Sequence, residues 1–416
     1  CIPGHVIKES MLLMLGIHRE GKLWTPYYLL TILVNLLVFT AQYMLVTSLP
    51  LYVLNIGGDN ATSGLIMGIF TVSALVFRPI FGMMLDIKGR KSVLIIGGIL
   101  FFTGTLLQGF FKSIPMLLVF RFVQGIGFSA NSTATGTIIS DLVPSARLSE
   151  GMGYFGISTT LATAIGPIIG IQLLNQSGPL PFFMSASCIL LISLGISLFL
   201  KYENAPGKKI VNRSGMENGR MKKIGIFSKA LLSVASVVFF VAIAYASVLT
   251  ILPLYAGSLG FVNTGLFYTV YAAGILITRI FTGKLADKIG IKPILLPAMV
   301  LMSISLILLS FASTQLILLI TGLLFGLGFG TVQPLLITMI LNHCSPEKRG
   351  AANAVFFFAM DIGIAVGSIL WGYMSQWFGF FIVYVGSATC ITIASILYEI
   401  NEKNKSKAGL LSQDTK

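Results

Sequence analysis

The chain has 416 residues, of which 55% are hydrophobic and only 10% are charged, and its mean hydropathy is +0.91. This composition excludes a water-soluble globular domain, because so much apolar surface needs lipid as its solvent. The net charge of +14 would suggest nucleic-acid binding in a soluble protein, so the location of the charges decides what it means.

Twelve apolar stretches are long enough to cross a bilayer. A spanning helix needs about 20 mostly apolar residues, because the hydrocarbon core is about 30 Å thick and each residue rises about 1.5 Å. In chain order the predicted spans are 27–54, 62–85, 92–111, 115–140, 151–176, 180–200, 228–257, 261–286, 293–312, 315–342, 350–376 and 379–400. They use nearly the whole chain, which predicts an all-α membrane protein with no soluble catalytic domain.

The spans fall into two groups of six. The predicted segments are an N-terminal segment (1–26), a first six-helix bundle (27–201), a polar linker (202–227), a second bundle (228–400) and a charged tail (401–416). Of the 28 Lys and Arg residues, 24 fall in segments on the same side as the N-terminus. This positive-inside pattern predicts a multi-pass protein of the cytoplasmic membrane with both termini in the cytoplasm. Nucleic-acid binding then has no support beyond the net charge.

The cysteines and histidines show no pattern of a metal or redox site. Cys1, Cys188, Cys344 and Cys390 lie far apart, without CxxC spacing or a partnered histidine. No HExxH, Ser–His or paired-carboxylate pattern is present in the sequence either. We therefore predict no enzymatic activity, no cofactor and no metal.

An internal repeat of about 200 residues relates the two halves. The segment Arg78–Lys91 (RPIFGMMLDIKGRK) matches Arg279–Lys292 (RIFTGKLADKIGIK) at an offset of 201 residues. Further repeats at offsets of 201 to 203 residues are GIGF/GLGF at 125–128 and 326–329, LPLY at 49–52 and 252–255, and PSAR/PEKR at 144–147 and 346–349. In proteins built from two such halves, a solute site lies near the bilayer midplane between the halves.

Each copy of the first repeat carries Arg, Gly and Asp at positions i, i+4 and i+8 of one helix face. The glycine allows a neighbouring helix to approach, and the carboxylate at the membrane edge can pair with basic residues or with a facing helix N-terminus. We interpret the two copies as a breakable cytoplasmic gate. Its predicted residues are Arg78, Gly82, Asp86, Gly89, Arg90, Arg279, Gly283, Asp287 and Gly290. For a single copy, a tight turn in a positively charged loop would explain the pattern equally well.

These segments resemble the signature of the major facilitator superfamily. The loop pattern of that family, G-x-L-x-D-[R/K]-x-G-[R/K]-[R/K], is matched by Gly82, Asp86, Gly89, Arg90 and Lys91. Met84 and Ile87 depart from it, and the second copy matches it more loosely, with Ile291 in place of a basic residue. The resemblance covers the whole chain and implies two six-helix bundles related by a pseudo-twofold axis, in a protein that needs only one chain.

The fourth span carries R-x-x-Q-G-x-G at Arg121–Gly127, which resembles a second signature of the family. That resemblance implies a role in proton transfer. Arg121 lies several residues inside the predicted outer boundary, where an unpaired arginine is costly. We expect it to face a wet cavity or a carboxylate, and the alternative is snorkelling toward lipid head groups.

Asp361 is the only carboxylate predicted deep in the bilayer. It lies 12 residues after Arg349, which places it about 18 Å into the eleventh span. Hydration and nearby cations set the proton affinity of a carboxylate, so a cavity that opens to alternate sides could load and release a proton there. We predict that Asp361, tuned by Arg121, couples transport to protons. The alternative is a structural aspartate bonded to backbone or hydroxyl groups.

Amide and aromatic side chains that share helix faces predict an uncharged substrate cavity. They are Asn35, Gln42, Gln124, Phe128, Asn131, Gln333, Asn353 and Phe357. Ordinary interhelical hydrogen bonding would explain any one of them at least as well.

The fifth span contains Gly166, Pro167 and Gly170, which resemble the core of the family's antiporter motif, G-x(8)-G-x(3)-G-P-x(2)-G-G. The match is partial, because Ala162 and Ile171 replace two of the glycines. The two LPLY elements look like those of the twelve-helix drug-exporter branch. Together these resemblances imply proton-coupled export of a small organic solute. A symporter or facilitator for sugars or other metabolites, and a transport-inactive receptor, remain as alternatives.

Overall fold

A computed structural model describes residues 23–144, 147–200, 229–261, 263–342 and 349–413. Within these ranges every regular element is helical. The predicted linker, most of the predicted N-terminal segment and the last three residues of the tail lie outside the described residues. The three histidines, Cys1 and Cys344 also lie outside them.

The first half consists of six helices. They are α1 (Pro26–Asn55), α2 (Asn60–Lys88), α3 (Arg90–Gln108), α4 (Ile114–Leu142), α5 (Leu148–Ser177) and α6 (Pro179–Phe199). Each helix end lies within three residues of the predicted one.

The second half repeats this order. Its helices are α7 (Lys229–Ala246, a π-helical turn Ser247–Ile251, and Leu252–Ser258), α8 (Gly265–Ile289), α9 (Lys292–Ser310) and α10 (Gln315–Asn342). The final helical run, Arg349–Gln413, is divided at Gly379, where φ is 81°, into α11 (349–378) and α12 (380–413). The last helix continues past residue 400, the predicted end of the twelfth span.

The helices have the length and apolarity of membrane spans. Ten helical stretches in the described part of the chain are apolar and long enough to cross a bilayer. One of these, Val355–Lys403, has 49 residues and covers parts of both α11 and α12. The remaining helix, α8, packs against α10 in its own half and against α5 of the other half. The predicted all-helical membrane fold of twelve spans is confirmed.

Matched glycines end the second helix of each half. Gly89 has φ 85° and Gly290 has φ 88°, a backbone region that residues with a side chain rarely adopt. Each glycine lies between two helices, α2 and α3 in one half and α8 and α9 in the other. The repeated glycine in the loop motif is therefore explained by the sharp turn.

A second pair of matched glycines brings helices together within each half. A Cβ atom at Gly125 of α4 would overlap the carbonyl oxygen of Phe70 in α2. A Cβ atom at Gly326 of α10 would likewise overlap the carbonyl oxygen of Tyr271 in α8. Small residues allow this approach of two backbones, which is a main source of helix association in lipid.

The two halves contact each other through α2 with α11 and α5 with α8. Close contacts include the ends of α2 and α11 that were predicted to face outward. A Cβ atom at Gly64 would lie 2.9 Å from the Cα atom of Gly372. Thr269 of α8 donates a hydrogen bond of 3.1 Å to the carbonyl oxygen of Ala164 in α5.

Substitution of Gly125 by alanine should lower thermal stability, because the added methyl group meets the fixed backbone of α2. We expect a loss of about 1–3 kcal/mol, measured as a lower Tm of the purified protein in detergent.

Gly136 is the matched control, since it lies in the same helix and a Cβ atom there would meet nothing within 4 Å. Gly136→Ala should be neutral or stabilising by up to about 1 kcal/mol. Equal losses in the two variants would show that packing at Gly125 does not limit stability.

Candidate functional site

Asp361 of α11 forms an ion pair with Arg78 of α2. The distance from Arg78 Nη2 to Asp361 Oδ2 is 2.9 Å, and the side chains are 25% and 15% exposed, respectively. The guanidinium also lies 5.9 Å from the ring centre of Phe357, one turn before Asp361. Because α2 and α11 belong to different halves, this pair connects the halves inside the membrane.

The pair lies well inside the hydrocarbon layer. Arg78 is ten residues before the end of α2 and Asp361 is 12 residues after the start of α11. At about 1.5 Å per residue, Arg78 lies about 15 Å from the C-terminal end of α2, and Asp361 lies about 18 Å from the N-terminal end of α11. Both of these helix ends were predicted to face the cytoplasm. A single charge at this depth is costly, and each charge of the pair offsets that cost for the other.

Arg121, which was predicted to tune Asp361, has its contacts within the first half. Its side chain is fully buried, so it does not snorkel to the membrane surface. Nη1 donates to Gln124 Oε1 at 2.9 Å, Nη2 lies 3.4 Å from Met67 Sδ, and the guanidinium lies 4.4 Å from the ring centre of Phe70. The cation beside Asp361 is Arg78, a residue that the sequence motif placed in the gate instead.

Gln124 extends the Arg121 contacts into a buried polar network. Its Nε2 donates to Thr105 Oγ1 and to Gln108 Oε1, each at 3.0 Å. Thr105 and Gln108 lie on α3, so the network joins α3 to α4. Sequence reasoning missed both residues, although a glutamine in an apolar span is itself a signal of a buried partner.

The predicted gate residues divide between several roles. Arg90 Nε contacts Asp141 Oδ2 at 3.1 Å, and its Nη1 donates to the carbonyl oxygen of Leu85 at 3.0 Å. These contacts connect α3 to the ends of α2 and α4 in the same half. A Cβ atom at Gly82 would meet no described atom within 4 Å, so no helix among the described residues approaches it closely. The surroundings of Asp86, Gly283 and Asp287 lie outside the described side chains.

Several predicted cavity residues are used by hydrogen bonds between or within helices. Asn35 Nδ2 donates to Ser158 Oγ at 2.8 Å and to Thr159 Oγ1 at 3.1 Å, which joins α1 to α5. Asn131 Nδ2 donates to the Gly127 carbonyl oxygen at 3.1 Å. For Asn35 and Gln124 the contacts match the interhelical hydrogen bonding that was the alternative interpretation, whereas the Asn131 bond stays within α4.

The other predicted cavity residues make fewer hydrogen bonds or are partly exposed. Gln42 is buried, and its Oε1 atom has no hydrogen-bond partner among the described atoms. Phe128 is half-buried and packs against other aromatic rings, Phe357 is 43% exposed, and Gln333 is half-buried. The side chain of Asn353 is outside the described set.

The antiporter-like motif places α5 between two helices. A Cβ atom at Gly166 would lie 2.8 Å from the carbonyl oxygen of Thr40 in α1, and one at Gly170 would lie 2.6 Å from Ser48 Oγ. Pro167 lies inside α5 between these contacts. Ala164, nearby on α5, accepts the hydrogen bond from α8 described above. The motif therefore packs α5 on α1 at the point where α5 also meets the other half.

Comparison with known proteins agrees with this architecture. The sequence profile of the Major Facilitator Superfamily matches residues 31–265 and 234–413. The staphylopine export protein of Staphylococcus aureus is 26% identical over 396 residues, covering 91% of this chain and 96% of the relative. The multidrug resistance protein MdtG of Yersinia enterocolitica is 28% identical, covering 90% of this chain and 91% of the relative.

Solved structures show the same fold at low identity. A bacterial homologue of the human lysosomal transporter Spinster, in an inward-facing and occupied conformation, aligns with a TM-score of 0.76 and 14% identity over 91% of this chain and 98% of that structure. The nucleoside transporter NupG aligns with a TM-score of 0.71 and 14% identity over 91% of this chain and 100% of that structure. The two matching profile segments together span nearly the whole chain, and the chain belongs to the Major Facilitator Superfamily.

Proposed function

We propose that this transporter exports a small organic solute across the cytoplasmic membrane in exchange for protons. The observation that carries the proposal is the ion pair between Arg78 and Asp361, because it joins the two halves at the depth where a coupling group has to act. The names of the relatives above, an export protein and multidrug resistance proteins, support the direction of transport. A single chain with both termini in the cytoplasm would suffice.

The coupling step follows from the chemistry of one carboxylate. Asp361 can be neutralised either by Arg78 or by a proton, and the two compete for the same oxygen atoms. When the outer ends of the halves separate and α2 withdraws from α11, the carboxylate loses its cation in a poorly hydrated place and takes up a proton from outside. When α2 returns, the guanidinium displaces that proton toward the cytoplasm.

The packing of the halves supports such a movement. The halves are in close contact at the predicted outer ends of α2 and α11, through Gly64 and Gly372, while the ion pair lies further along the same two helices. A rocking motion that separates these outer ends would expose the pair to the outer side, and the reverse motion would restore the arrangement described here. A membrane potential of 100 mV adds about 2.3 kcal/mol of driving force for each charge that moves inward.

The first test is proton release from inverted membrane vesicles that contain the purified protein, with drugs, sugars and other metabolites added in turn. We expect at least one compound to release protons from an acidified lumen, and Asp361→Asn to abolish this release, because asparagine cannot carry the proton. Glu399→Gln is the control, since Glu399 is an exposed carboxylate paired with Lys292 near the helix ends. Solute flux that continues unchanged in Asp361→Asn would instead indicate a facilitator.

A second test measures the ion pair itself through a double-mutant cycle. Arg78→Gln or Asp361→Asn alone leaves one charge in the membrane and should cost about 3 kcal/mol, seen as a lower Tm. The double variant should recover most of this loss, since no unpaired charge is left. The same cycle at Lys292 and Glu399, which are 3.2 Å apart but 51% and 37% exposed, should show coupling of only about 0–1 kcal/mol. Additive losses at Arg78 and Asp361 would mean that the pair does not form in the protein.

A further inference from the structure

The two arginines of the repeat have different surroundings. Arg78 and Arg279 are related by the offset of 201 residues, and Arg78 faces Phe357 and Asp361 across the boundary between the halves. The same offset carries these two partners onto Gly156 and Thr160 of α5. The carboxylate that neutralises the first arginine therefore has no counterpart opposite the second.

Arg279 occupies the space that this difference leaves. Its Nη1 atom lies so close to α5 that a Cβ atom at Gly156 would be 2.7 Å from it. Thr160 is buried and its hydroxyl donates to the Gly156 carbonyl oxygen at 3.0 Å, so it does not replace the missing carboxylate. Among the side chains that the structure describes, Arg279 forms no ion pair.

Tyrosine hydroxyl groups lie near this guanidinium. Tyr271, two turns earlier on α8, and Tyr43 of α1 are both close enough to interact with Arg279 electrostatically. The Tyr271 side chain is 1% exposed, and its hydroxyl forms no hydrogen bond of standard geometry, although the hydroxyl of Tyr245 is nearby. A tyrosine hydroxyl combines one donor with acceptor lone pairs, so Tyr271 can contact Tyr245 and still bond to a ligand.

Aromatic rings form a wall beside these polar groups. The rings of Tyr245 and Phe329 stack with their centres 4.4 Å apart, and the rings of Tyr245 and Tyr271 stack at 6.4 Å. Phe325 continues the wall, 5.9 Å from Tyr271. A cation, tyrosine hydroxyls and packed aromatic rings that are only 1–6% exposed are thus placed together at a boundary of α1, α5, α7, α8 and α10.

We infer that Arg279 and Tyr271 bind the carboxylate of an aromatic acid, with Tyr43 beside it and the body of the ligand against the aromatic wall. A guanidinium matches a carboxylate through two parallel hydrogen bonds, and the Tyr271 hydroxyl can donate a third. The same charge repels permanent cations, so the site selects against them. This inference rests on the proposed function in one respect, since the ligand is taken to be the exported solute or a close analogue.

The site can be tested by binding, without transport. The probe is 1-naphthoate, and 1-naphthamide is its uncharged analogue of the same shape; each is titrated against the full chain in detergent while Tm is measured. We expect naphthoate to raise Tm with saturation and naphthamide to have little effect. Equal shifts with the two compounds, or no shift with naphthoate, would overturn the inference.

Variants locate the binding. Arg279→Gln should raise the naphthoate concentration that gives half of the maximal Tm shift about tenfold or more, because it removes a charge-assisted hydrogen bond. Tyr271→Phe keeps the ring, and Gly156→Ala displaces the Nη1 atom of Arg279. Each should raise the half-saturating naphthoate concentration by a smaller factor. Lys292→Gln removes one positive charge at the start of α9, where Lys292 pairs with Glu399, and should leave the Tm shift as in the wild type. Unchanged naphthoate binding in Arg279→Gln, with the Tm of the free protein preserved, would exclude this site.

Vesicle measurements separate this inference from the proposed function. Naphthoate binding that depends on Arg279, without any solute-linked proton release, would support the site and contradict antiport. Proton release driven by a neutral or cationic compound, with no naphthoate binding to the wild-type protein, would support antiport and overturn the site.

Discussion

In the hydrocarbon layer there is no water to hydrate a charge or to complete a hydrogen bond, so each polar group has to find its partner inside the protein. Helices meet this requirement for the backbone, and the side chains meet it in pairs and networks. Arg78 and Asp361 neutralise each other across the two halves. Gln124 bonds to α3 and to Arg121, and Asn35 bonds to α5. The positions of these groups therefore decide which helices are adjacent.

The two halves share their packing and differ in their chemistry. Gly89 and Gly290 make the same turn, and Gly125 and Gly326 allow the same close approach, so the repeated residues serve the fold. The differences lie between the halves, where only Arg78 has a carboxylate opposite it among the described side chains. The π-helical turn Ser247–Ile251 also occurs only in α7 among the described helices, and α1 is regular at the matched place. A symmetric scaffold with asymmetric contacts suits the proposed antiport, in which one site binds the solute and another responds to protons.

Arg78 and Arg279 illustrate how one motif residue acquires two roles. Both come from the same repeated segment and both reach toward the opposite half. The first meets Asp361, with which it forms a breakable pair, and the second meets Gly156 and tyrosine hydroxyl groups. The charge that remains without a described protein partner is available to a ligand. We therefore propose coupling as the role of the paired arginine and ligand recognition as the role of the other.

The sequence by itself determined the twelve spans, their division into two halves and the family, because apolar length, charge bias and repeat offsets are properties of the chain alone. It also identified Asp361 and the two repeat arginines, Arg78 and Arg279, as candidate functional residues. Only the tertiary structure decided that Asp361 pairs with Arg78 rather than Arg121, since α4 turns Arg121 toward Gln124 in its own half. The partner of a side chain depends on how helices far apart in sequence are rotated against one another, and the periodicity of a single helix does not contain that rotation.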